Sequence, residues 1–391
     1  MQFCRNTLIL LIIWLGASSA FADSVAMSEA QKAELARVAP GVNITPALAE
    51  RLRATAYDSS LSIEQRVAAI RKLLGYPSGE NIKRVICIWD IAGRSGPIFS
   101  AAQDQRTEIL QYGVDVELVP YTSETVMVED LKSERCDAAL MTGLRARLFH
   151  RYAGTLDAIG AVPDTEHMRV LLQAVSHPKN ADNMVAGDYV VMGVAPAGAA
   201  FVFVNDRSIS SLAKAAGKKV AVLDYDRTQA EMVAQIGATP IASDIVSAPN
   251  KFNNGVVDVL AAPLVAYEVL ELYKGMTPNG GIVRFPLAQI TMQLIGRRDR
   301  FPNEIAQLVR EGFYNGFDQI MARLGEETGK VPEHWWIDIP PRDQREYEIL
   351  MQQARLELRD QGYYDPAMLT LQRKVRCRFD PSRAECANPV E

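Results

Sequence analysis

The chain repeats one pattern, in which a short apolar run enters a loop containing Gly or Asp and a helix then begins. The first copy is Val85–Asp90 (VICIWD), followed by the loop Ile91–Gly96 and by Pro97. The second copy is Lys219–Leu223 (KVAVL), followed by the loop Asp224–Arg227. Strands that are apolar throughout are typical of a parallel sheet with helices on both faces. The repeat therefore predicts an α/β protein with two lobes of matching design.

Each lobe also carries a second strand that ends close to candidate binding residues. Cys136–Met141 (CDAALM) leads to Gly143 and Arg145, and Val257–Leu260 (VDVL) leads to Pro263. Ligands of open α/β sheets collect beyond the carboxyl ends of the strands. Helix N-termini there offer unpaired N–H groups and a partial positive charge. We therefore expect a ligand between the lobes, where the helix N-termini converge.

Arg94 and Arg145 are the predicted anion-binding pair. They follow separate strands of the first lobe, and a guanidinium can bind carboxylate or phosphate with two hydrogen bonds. For each arginine the alternative is a local cap or salt bridge. Backbone N–H groups near Ser95 and Gly143 would add donors, and the second lobe would supply the opposite wall. The complete set of predicted ligand contacts is Arg94, Ser95, Gly143, Arg145, Tyr225, Asn254 and Pro263.

Three further positions allow two interpretations. Arg147 lies one helical step beyond Arg145, where a structural role is favoured over ligand binding. Arg284 either bridges the lobes through an ion pair or binds the ligand. Asn254, within Asn253–Gly255, either forms a turn, which is favoured, or donates to the ligand from its side chain.

Composition and motifs argue against several classes of protein. The 391 residues carry a net charge of −5 without a basic stripe, which argues against nucleic acid as a partner. The four histidines are scattered, and the sequence contains no H-E-x-x-H, Walker A or G-x-G-x-x-G motif. We therefore expect no enzyme activity, no cofactor and no metal site.

The first 22 residues resemble a cleavable secretory signal peptide. Arg5 precedes the apolar run Leu8–Leu15, and Ala20–Ala22 (AFA) fits the cleavage site. The alternative is an uncleaved membrane anchor, although the apolar run is short for one. The sequence thus predicts a periplasmic protein.

Four cysteines remain after cleavage, an even number that favours disulfides in an oxidising compartment. Cys377 and Cys386 bracket a short loop and are expected to pair. Cys87 and Cys136 lie on predicted strands of one sheet, and either a bond or two buried free thiols fits the sequence.

The composition of successive segments predicts the organisation of the whole chain. Residues 155–162 and 189–194 are strand-like and could cross between the lobes. The predicted segments are a signal peptide (1–22), a helical extension (23–80), lobe 1 (81–162), lobe 2 (163–280), and a return crossing with C-terminal helices (281–391).

Several motifs, in this order, resemble the extracytoplasmic solute receptors of TRAP-type transporters. They are ISSLAKAAGKKVAV (209–222), QIGATPIA (235–242) and KFNNGVVDVLAAPLVAYE (251–268). The segments ICIWDIAGRSGP (86–97), ERCDAALMTGLRAR (134–147) and GTLDAIGA (154–161) are similar to a TRAP-receptor-like group of solute-binding proteins, some of them linked to drug efflux. The resemblance covers roughly residues 82–326.

The resemblance implies a two-lobed periplasmic-binding-protein-like (type II) fold, here with additional helices at both ends. It also implies a receptor that closes on a small organic acid, such as a simple carboxylate, and delivers it to a membrane permease. Many such receptors grip the carboxylate with an arginine near the position of Ala221. This chain has alanine there instead of arginine. The difference implies that Arg94 or Arg145 binds the carboxylate instead, or that the ligand is not a simple carboxylate.

A second hypothesis places the chain in another class of protein. The helical additions at both ends would suit an accessory or interaction subunit of an efflux-linked cell-envelope complex built on a receptor-like fold.

Overall fold

The computed structural model describes residues 29–39, 42–77, 79–211 and 213–391. The predicted signal peptide and its cleavage site near Ala22 lie outside the described residues.

One mixed sheet runs through the described part of the protein, in the order β2-β1-β3-β9-β5-β8-β6-β7. Two short strands, β10 and β4, pair with β9 and β5. The strands are β1 (Ile82–Trp89), β2 (Val114–Tyr121), β3 (Ala138–Thr142), β4 (Val185–Ala186), β5 (Tyr189–Val204), β6 (Lys219–Leu223), β7 (Thr239–Ser243), β8 (Val259–Pro263), β9 (Gly281–Arg297) and β10 (Trp336–Ile337).

Helices cover both faces of this sheet and extend beyond it at the two ends of the chain. The α-helices of the described residues are α1 (Glu29–Val38), α2 (Pro46–Tyr57), α3 (Ile63–Leu73), α4 (Pro97–Leu110), α5 (Glu124–Lys132), α6 (Gly143–Ala146), α7 (Arg151–Gly154), α8 (Thr165–Ser176), α9 (Arg227–Gln235), α10 (Ser247–Asn253), α11 (Ala266–Val269), α12 (Tyr273–Met276), α13 (Asn303–Asn315), α14 (Phe317–Thr328), α15 (Pro341–Asp360), α16 (Pro366–Phe379) and α17 (Ala384–Ala387).

The two long strands β5 and β9 pair antiparallel and connect the two halves of the sheet. At about 3.3 Å per residue each is long enough to serve both lobes. The pairing of the two strands is interrupted by register shifts. In the largest, Ala200 pairs with Ala288 whereas Val202 pairs with Val283. Pro286, which cannot donate a ladder hydrogen bond, lies in this interruption. The return crossing predicted after Gly281 is β9.

Each half of the sheet contains three parallel strands, as the repeated pattern predicts. In the first, β1 pairs in parallel with β2 and β3; in the second, β6 pairs in parallel with β7 and β8. The first lobe's core includes Ile88, Leu140 and Phe99, and that of the second includes Phe203, Phe252 and Leu260. The predicted α/β fold class with two lobes is confirmed.

The packing of residues 155–176 differs from the sequence-based description, whereas residues 189–194, also described as a possible crossing, lie in β5. Residues Thr155–Asp157 form a 3₁₀ helix rather than a crossing strand. Helix α8, which was expected in the second lobe, contributes Met168 and Leu172 to the same core as β1 and β3. The predicted segment boundaries remain predictions, and this packing favours a later start for lobe 2.

The N-terminal helices pack against α13 behind the first lobe. Arg66 of α3 donates to both carboxylate oxygens of Glu311, at 2.5 and 2.9 Å, and Arg53 of α2 donates to Glu304 at 2.8 Å. Ser62 begins α3 with a capping box formed with Gln65. Among the described residues, no helix is both long enough and apolar enough to cross a membrane.

Both pairs of cysteines in the described chain form disulfides. The expected Cys377–Cys386 bond is present, and Cys87–Cys136, which the sequence left open, is also bonded. Cys87 lies on β1 and Cys136 lies two residues before the start of β3, so this bond joins β1 to the segment that leads into its neighbouring strand.

The two disulfides should differ in their contribution to stability because they close loops of different length. Cys87–Cys136 spans 49 residues and Cys377–Cys386 spans 9. Chain-entropy estimates give about 4 kcal/mol for the longer loop and about 2.5 kcal/mol for the shorter one. Denaturant unfolding of the Cys87→Ala/Cys136→Ala and Cys377→Ala/Cys386→Ala variants measures both losses. A larger loss from the second pair would contradict this account.

Candidate functional site between the lobes

The carboxyl ends of the parallel strands in both lobes point to one gap. Strand β3 runs antiparallel to β9 and ends where Thr142 lies opposite Met292; β8 runs antiparallel to β5 and ends where Pro263 lies opposite Ala200. Both ends therefore reach the middle of the crossing strands. A cavity of about 1900 Å³ includes this gap and continues along neighbouring faces of the lobes.

The helix N-termini at the gap are capped by side chains of the chain itself. Asp90 accepts hydrogen bonds from the N–H groups of Ile98 and Phe99, at 2.7 and 3.1 Å, at the start of α4. In the second lobe, Asp226 accepts from the Gln229 N–H at 3.0 Å at the start of α9. Because carboxylates already occupy these positions, the helix starts are poor sites for a ligand anion.

The region of Arg94 and Ser95 differs from the predicted donor site. Both residues are exposed on the 3₁₀ turn Gly93–Ser95 and are absent from the cavity lining. The Arg94 guanidinium lies 5.6 Å from the ring centre of Phe99. The carboxylate of Asp90 fills the space beside Gly96 so closely that an added Cβ would lie 1.7 Å from its Oδ1.

Arg145 is buried and contacts the opposite lobe rather than the cavity. Its guanidinium lies 3.4 Å from the ring centre of Tyr225, and its Nη2 donates to Thr125 Oγ1 at 2.9 Å. The Tyr225 hydroxyl and the Arg145 Nε are buried without a hydrogen-bond partner among the described residues. Arg145 and Tyr225, each predicted to contact the ligand, therefore contact one another between the two lobes.

A buried carboxylate lies beside this contact. Glu124 Oε1 accepts from the Thr142 N–H at 2.7 Å. Burial raises the pKa of Glu124, against the opposing effects of the Thr142 N–H and the nearby Arg145 guanidinium. Glu124 and Arg145 of the first lobe thus lie close enough to interact electrostatically.

Arg147 is the arginine of this loop that lines the cavity. Its Nε and Nη2 donate to the carbonyl oxygen of Gly154 at 3.3 and 3.1 Å, and its guanidinium lies 4.2 Å from the ring centre of Tyr363. Its Nη1 group makes no hydrogen bond to any described residue. The guanidinium is therefore fixed on one edge and retains donors for a ligand.

Asp157 lies on the first-lobe side of the cavity and is fully enclosed by protein. Its carboxylate accepts from the hydroxyl of Thr291 at 2.6 Å and from the Thr291 N–H at 3.2 Å. Burial raises its pKa to about 7, although these hydrogen bonds and Arg147 act in the opposite direction. Gly143 packs directly against this pair, since an added Cβ would lie 2.3 Å from Thr291 Oγ1 and 2.5 Å from Asp157 Oδ2.

The remaining predicted residues are divided between the two ends of the second lobe's strands. Pro263 ends β8 and lines the cavity. Asn254 follows α10 and precedes β8, so it lies at the amino end of that strand, away from the gap. Its side chain donates to Asn250 O at 2.8 Å.

Arg284 of β9, for which the sequence allowed an ion pair or ligand binding, is paired with Glu333 and with Asp338, the latter at 2.7 Å.

The structure adds three residues to the site that the sequence did not single out as ligand contacts. They are Arg147, Asp157 and Tyr363. Arg147 follows a helix of only four residues, too short for its periodicity to reveal which arginine faces the gap. Asp157 could have been identified from the sequence, because it lies in GTLDAIGA (154–161), a segment similar to solute-binding proteins. Tyr363 comes from the C-terminal helices, and no local pattern places it between the lobes.

Together, the two lobes, the crossing strands and the cavity at the strand ends define a solute-binding protein. Two solved structures share this fold. A TRAP periplasmic solute-binding protein from Desulfovibrio salexigens with bound orotic acid has a TM-score of 0.64 at 16% identity, covering 76% of this chain and 99% of its own. A TRAP periplasmic solute-binding protein from Ralstonia eutropha with bound (S)-2-acetolactate has a TM-score of 0.60 at 13% identity, with coverage of 76% and 99%.

The chain belongs to the solute-binding protein AdeT 1/2 family, whose model matches residues 83–391. It is similar to the probable solute-binding protein AdeT1 of Acinetobacter baumannii, with 41% identity over 300 residues, which are 77% of this chain and 99% of the relative. The matched range begins after α1–α3 and includes the C-terminal helices. The predicted resemblance to TRAP-type solute receptors is confirmed.

The raised pKa of Asp157 predicts a pH dependence of stability. An unfolded aspartate titrates near 4, whereas the folded one titrates at about 7, so the folded state binds the proton more tightly. The contribution of this group to stability is greatest below about pH 4 and is lost as the pH rises to about 7. An Asp157→Asn variant lacks this titration, so its stability relative to the wild type should rise over the same interval.

Urea unfolding of both proteins at several pH values between 4 and 8 measures this difference. The hydrogen bond lost in the variant adds an offset that does not depend on pH. A constant difference across the whole range would show that Asp157 titrates normally.

Proposed function

We propose that this protein captures a small organic anion in the gap between its lobes and that Arg147 contacts the anionic group. The observation that carries the proposal is the geometry of Arg147, which is fixed by Gly154 and Tyr363 yet keeps Nη1 without a protein partner. Arg145, by contrast, is engaged by Tyr225 and Thr125. An anion in the gap therefore has one well-placed guanidinium to bind.

The charge around the gap supports an anionic ligand in spite of the nearby acids. Asp90 and Asp226 are directed at helix N-termini, which balance part of their charge. Asp157 has a pKa of about 7 and is thus partly protonated at neutral pH. Protonation of Asp157 beside Arg147 removes a repulsive charge from this side of the gap.

The walls of the gap supply mostly apolar surface. From the crossing strands come Pro196, Ala197 and Ile290, and from the second lobe come Ala221 and Pro263. Ala221 lines the cavity near the position at which many TRAP receptors carry an arginine, so this wall offers no cation there. Such a site favours a ligand with one anionic group and an apolar body over a compact polyanion.

Solved structures of similar fold hold organic acids, which supports an organic anion as the ligand. Orotate and 2-acetolactate each carry one carboxylate. We extend to this chain the periplasmic location and the delivery of ligand to a membrane permease that characterise TRAP receptors. The alternative of an accessory subunit in an envelope complex remains a prediction.

Isothermal titration calorimetry with orotate, benzoate, succinate and L-malate tests the proposed ligand class. We expect a monocarboxylate with an apolar or aromatic body to bind more tightly than succinate or malate. Binding of none of the monocarboxylates, with tight binding of a cationic or neutral solute instead, would contradict the proposal.

The role of Arg147 has its own test. Arg147→Ala should weaken binding of the best carboxylate by about 10- to 100-fold, which corresponds to the loss of a hydrogen bond between charged groups. Arg94→Ala is the matched control, because Arg94 is exposed and lies outside the cavity lining, and it should bind like the wild type. A larger loss of affinity in the Arg94 variant than in the Arg147 variant would contradict the role of Arg147 and favour the predicted pair of Arg94 and Arg145.

A further inference from the structure

The C-terminal hairpin, defined as α15 and α16 with the connection between them, is fixed to the first lobe. Its contacts converge on residues 155–161, the segment that also carries Asp157. The hydrogen bonds are Arg355 Nη1 to Ile159 O (2.8 Å), Ile159 N to Tyr364 Oη (3.2 Å), Asp365 N to Thr155 Oγ1 (2.9 Å), Gln372 Nε2 to Thr155 O (3.0 Å) and Leu156 O (3.1 Å), and Arg376 Nη1 to Ala161 O (2.7 Å).

The far end of the hairpin is held by buried ion pairs and by a disulfide. Arg376 donates to Glu385 and Glu391, both at 2.6 Å, and Arg355 donates to Glu391 at 2.8 Å. The Cys377–Cys386 bond closes the same region. Although burial acts to raise it, Arg376 and Arg383 hold the pKa of Glu385 at about 2. The hairpin is therefore closed at its far end and bonded to residues 155–161 of the first lobe.

The same hairpin also reaches the second lobe. Helix α15 has 20 residues, about 30 Å of helix, enough to pass across the gap. Near its start, Tyr347 lies 5.5 Å from Phe285 of the crossing strand and donates to Ser210 O at 3.4 Å. In the connection to α16, the Tyr363 hydroxyl donates to Asp226 Oδ2.

Tyr363 thereby touches three parts of the protein at the ligand site. Its ring packs against the Arg147 guanidinium of the first lobe, its hydroxyl binds the carboxylate that caps α9 of the second lobe, and its backbone belongs to the hairpin. It also lines the cavity. Opening of the gap would have to break the hydrogen bond between Tyr363 and Asp226, because the hairpin stays with the first lobe.

We propose that the C-terminal hairpin is a third wall of the binding site, in which Tyr363 positions Arg147 and holds the second lobe against the first through Asp226. The two lobes alone would form an incomplete site. The part of this inference that concerns Arg147 rests on the proposed function, whereas the part that concerns lobe closure does not depend on any ligand.

Lobe closure can be measured without ligand by electron–electron distance spectroscopy. Val126 on α5 and Val269 on α11 follow strand ends in opposite lobes and are 54% and 60% exposed, so each can be replaced by cysteine and spin-labelled. The four cysteines of the described chain are all bonded and should not react with the label. The full-length mature protein is used throughout.

Tyr363→Phe and Asp226→Asn should each shift the distance distribution between these labels to longer values. Tyr363→Phe keeps the ring over Arg147 and removes only the hydroxyl. Tyr273→Phe is the matched control, because the Tyr273 hydroxyl contacts Glu271 on the surface of the second lobe alone, at 3.3 Å. Distributions for Tyr363→Phe and Asp226→Asn that coincide with the wild type and the control would overturn the closure role.

Binding of orotate tests the positioning role. Tyr363→Phe should weaken binding by about 3- to 10-fold through a smaller closed population, and Tyr363→Leu, which also removes the ring, should weaken it further. Equal affinities for Phe and Leu at this position would overturn the positioning of Arg147. If wild type binds no carboxylate while Tyr363→Phe still opens the gap, the proposed ligand class fails and the closure role stands.

Discussion

The antiparallel pairing of β5 with β9 is the constraint on which the rest of the structure depends. Each lobe has its own set of three parallel strands, yet both sets are joined to the same pair of crossing strands. Because β3 and β8 approach that pair from opposite sides, their carboxyl ends must face each other. The gap between the lobes is thus a consequence of strand direction. The register shift between Pro196 and Gly198 lies between the points at which β3 and β8 end.

We propose that the charge that selects a ligand comes from a side chain rather than from helix dipoles. Interaction of an anion with a helix N-terminus typically contributes about 0.3–1 kcal/mol, whereas a hydrogen bond to a charged group contributes about 1.5–3 kcal/mol. Asp90 and Asp226 already use the helix starts on either side of the gap. Their role is to fix the loops. Of Arg145 and Arg147, only Arg147 lines the cavity, and its Nη1 has no partner among the described residues.

Sequence periodicity was sufficient for the fold and insufficient for the site. The apolar strands, the crossing strand after Gly281 and the pairing of Cys377 with Cys386 follow from local patterns and are confirmed. The choice between Arg145 and Arg147 depends on the direction of a four-residue helix, which no periodic pattern encodes. Tyr363 reaches the gap through contacts between residues separated by more than 130 positions, such as its hydrogen bond to Asp226. Local sequence patterns cannot predict a contact between residues so far apart in the chain.

A crystal structure of the protein with a bound carboxylate tests the central claim most directly. The account predicts that the carboxylate lies in the gap between the lobes, with one oxygen within about 3 Å of Arg147 Nη1. It also predicts that the Asp90 carboxylate remains on the α4 N-terminus. A carboxylate bound at Arg94, or at the start of α4 with Asp90 displaced, would contradict it.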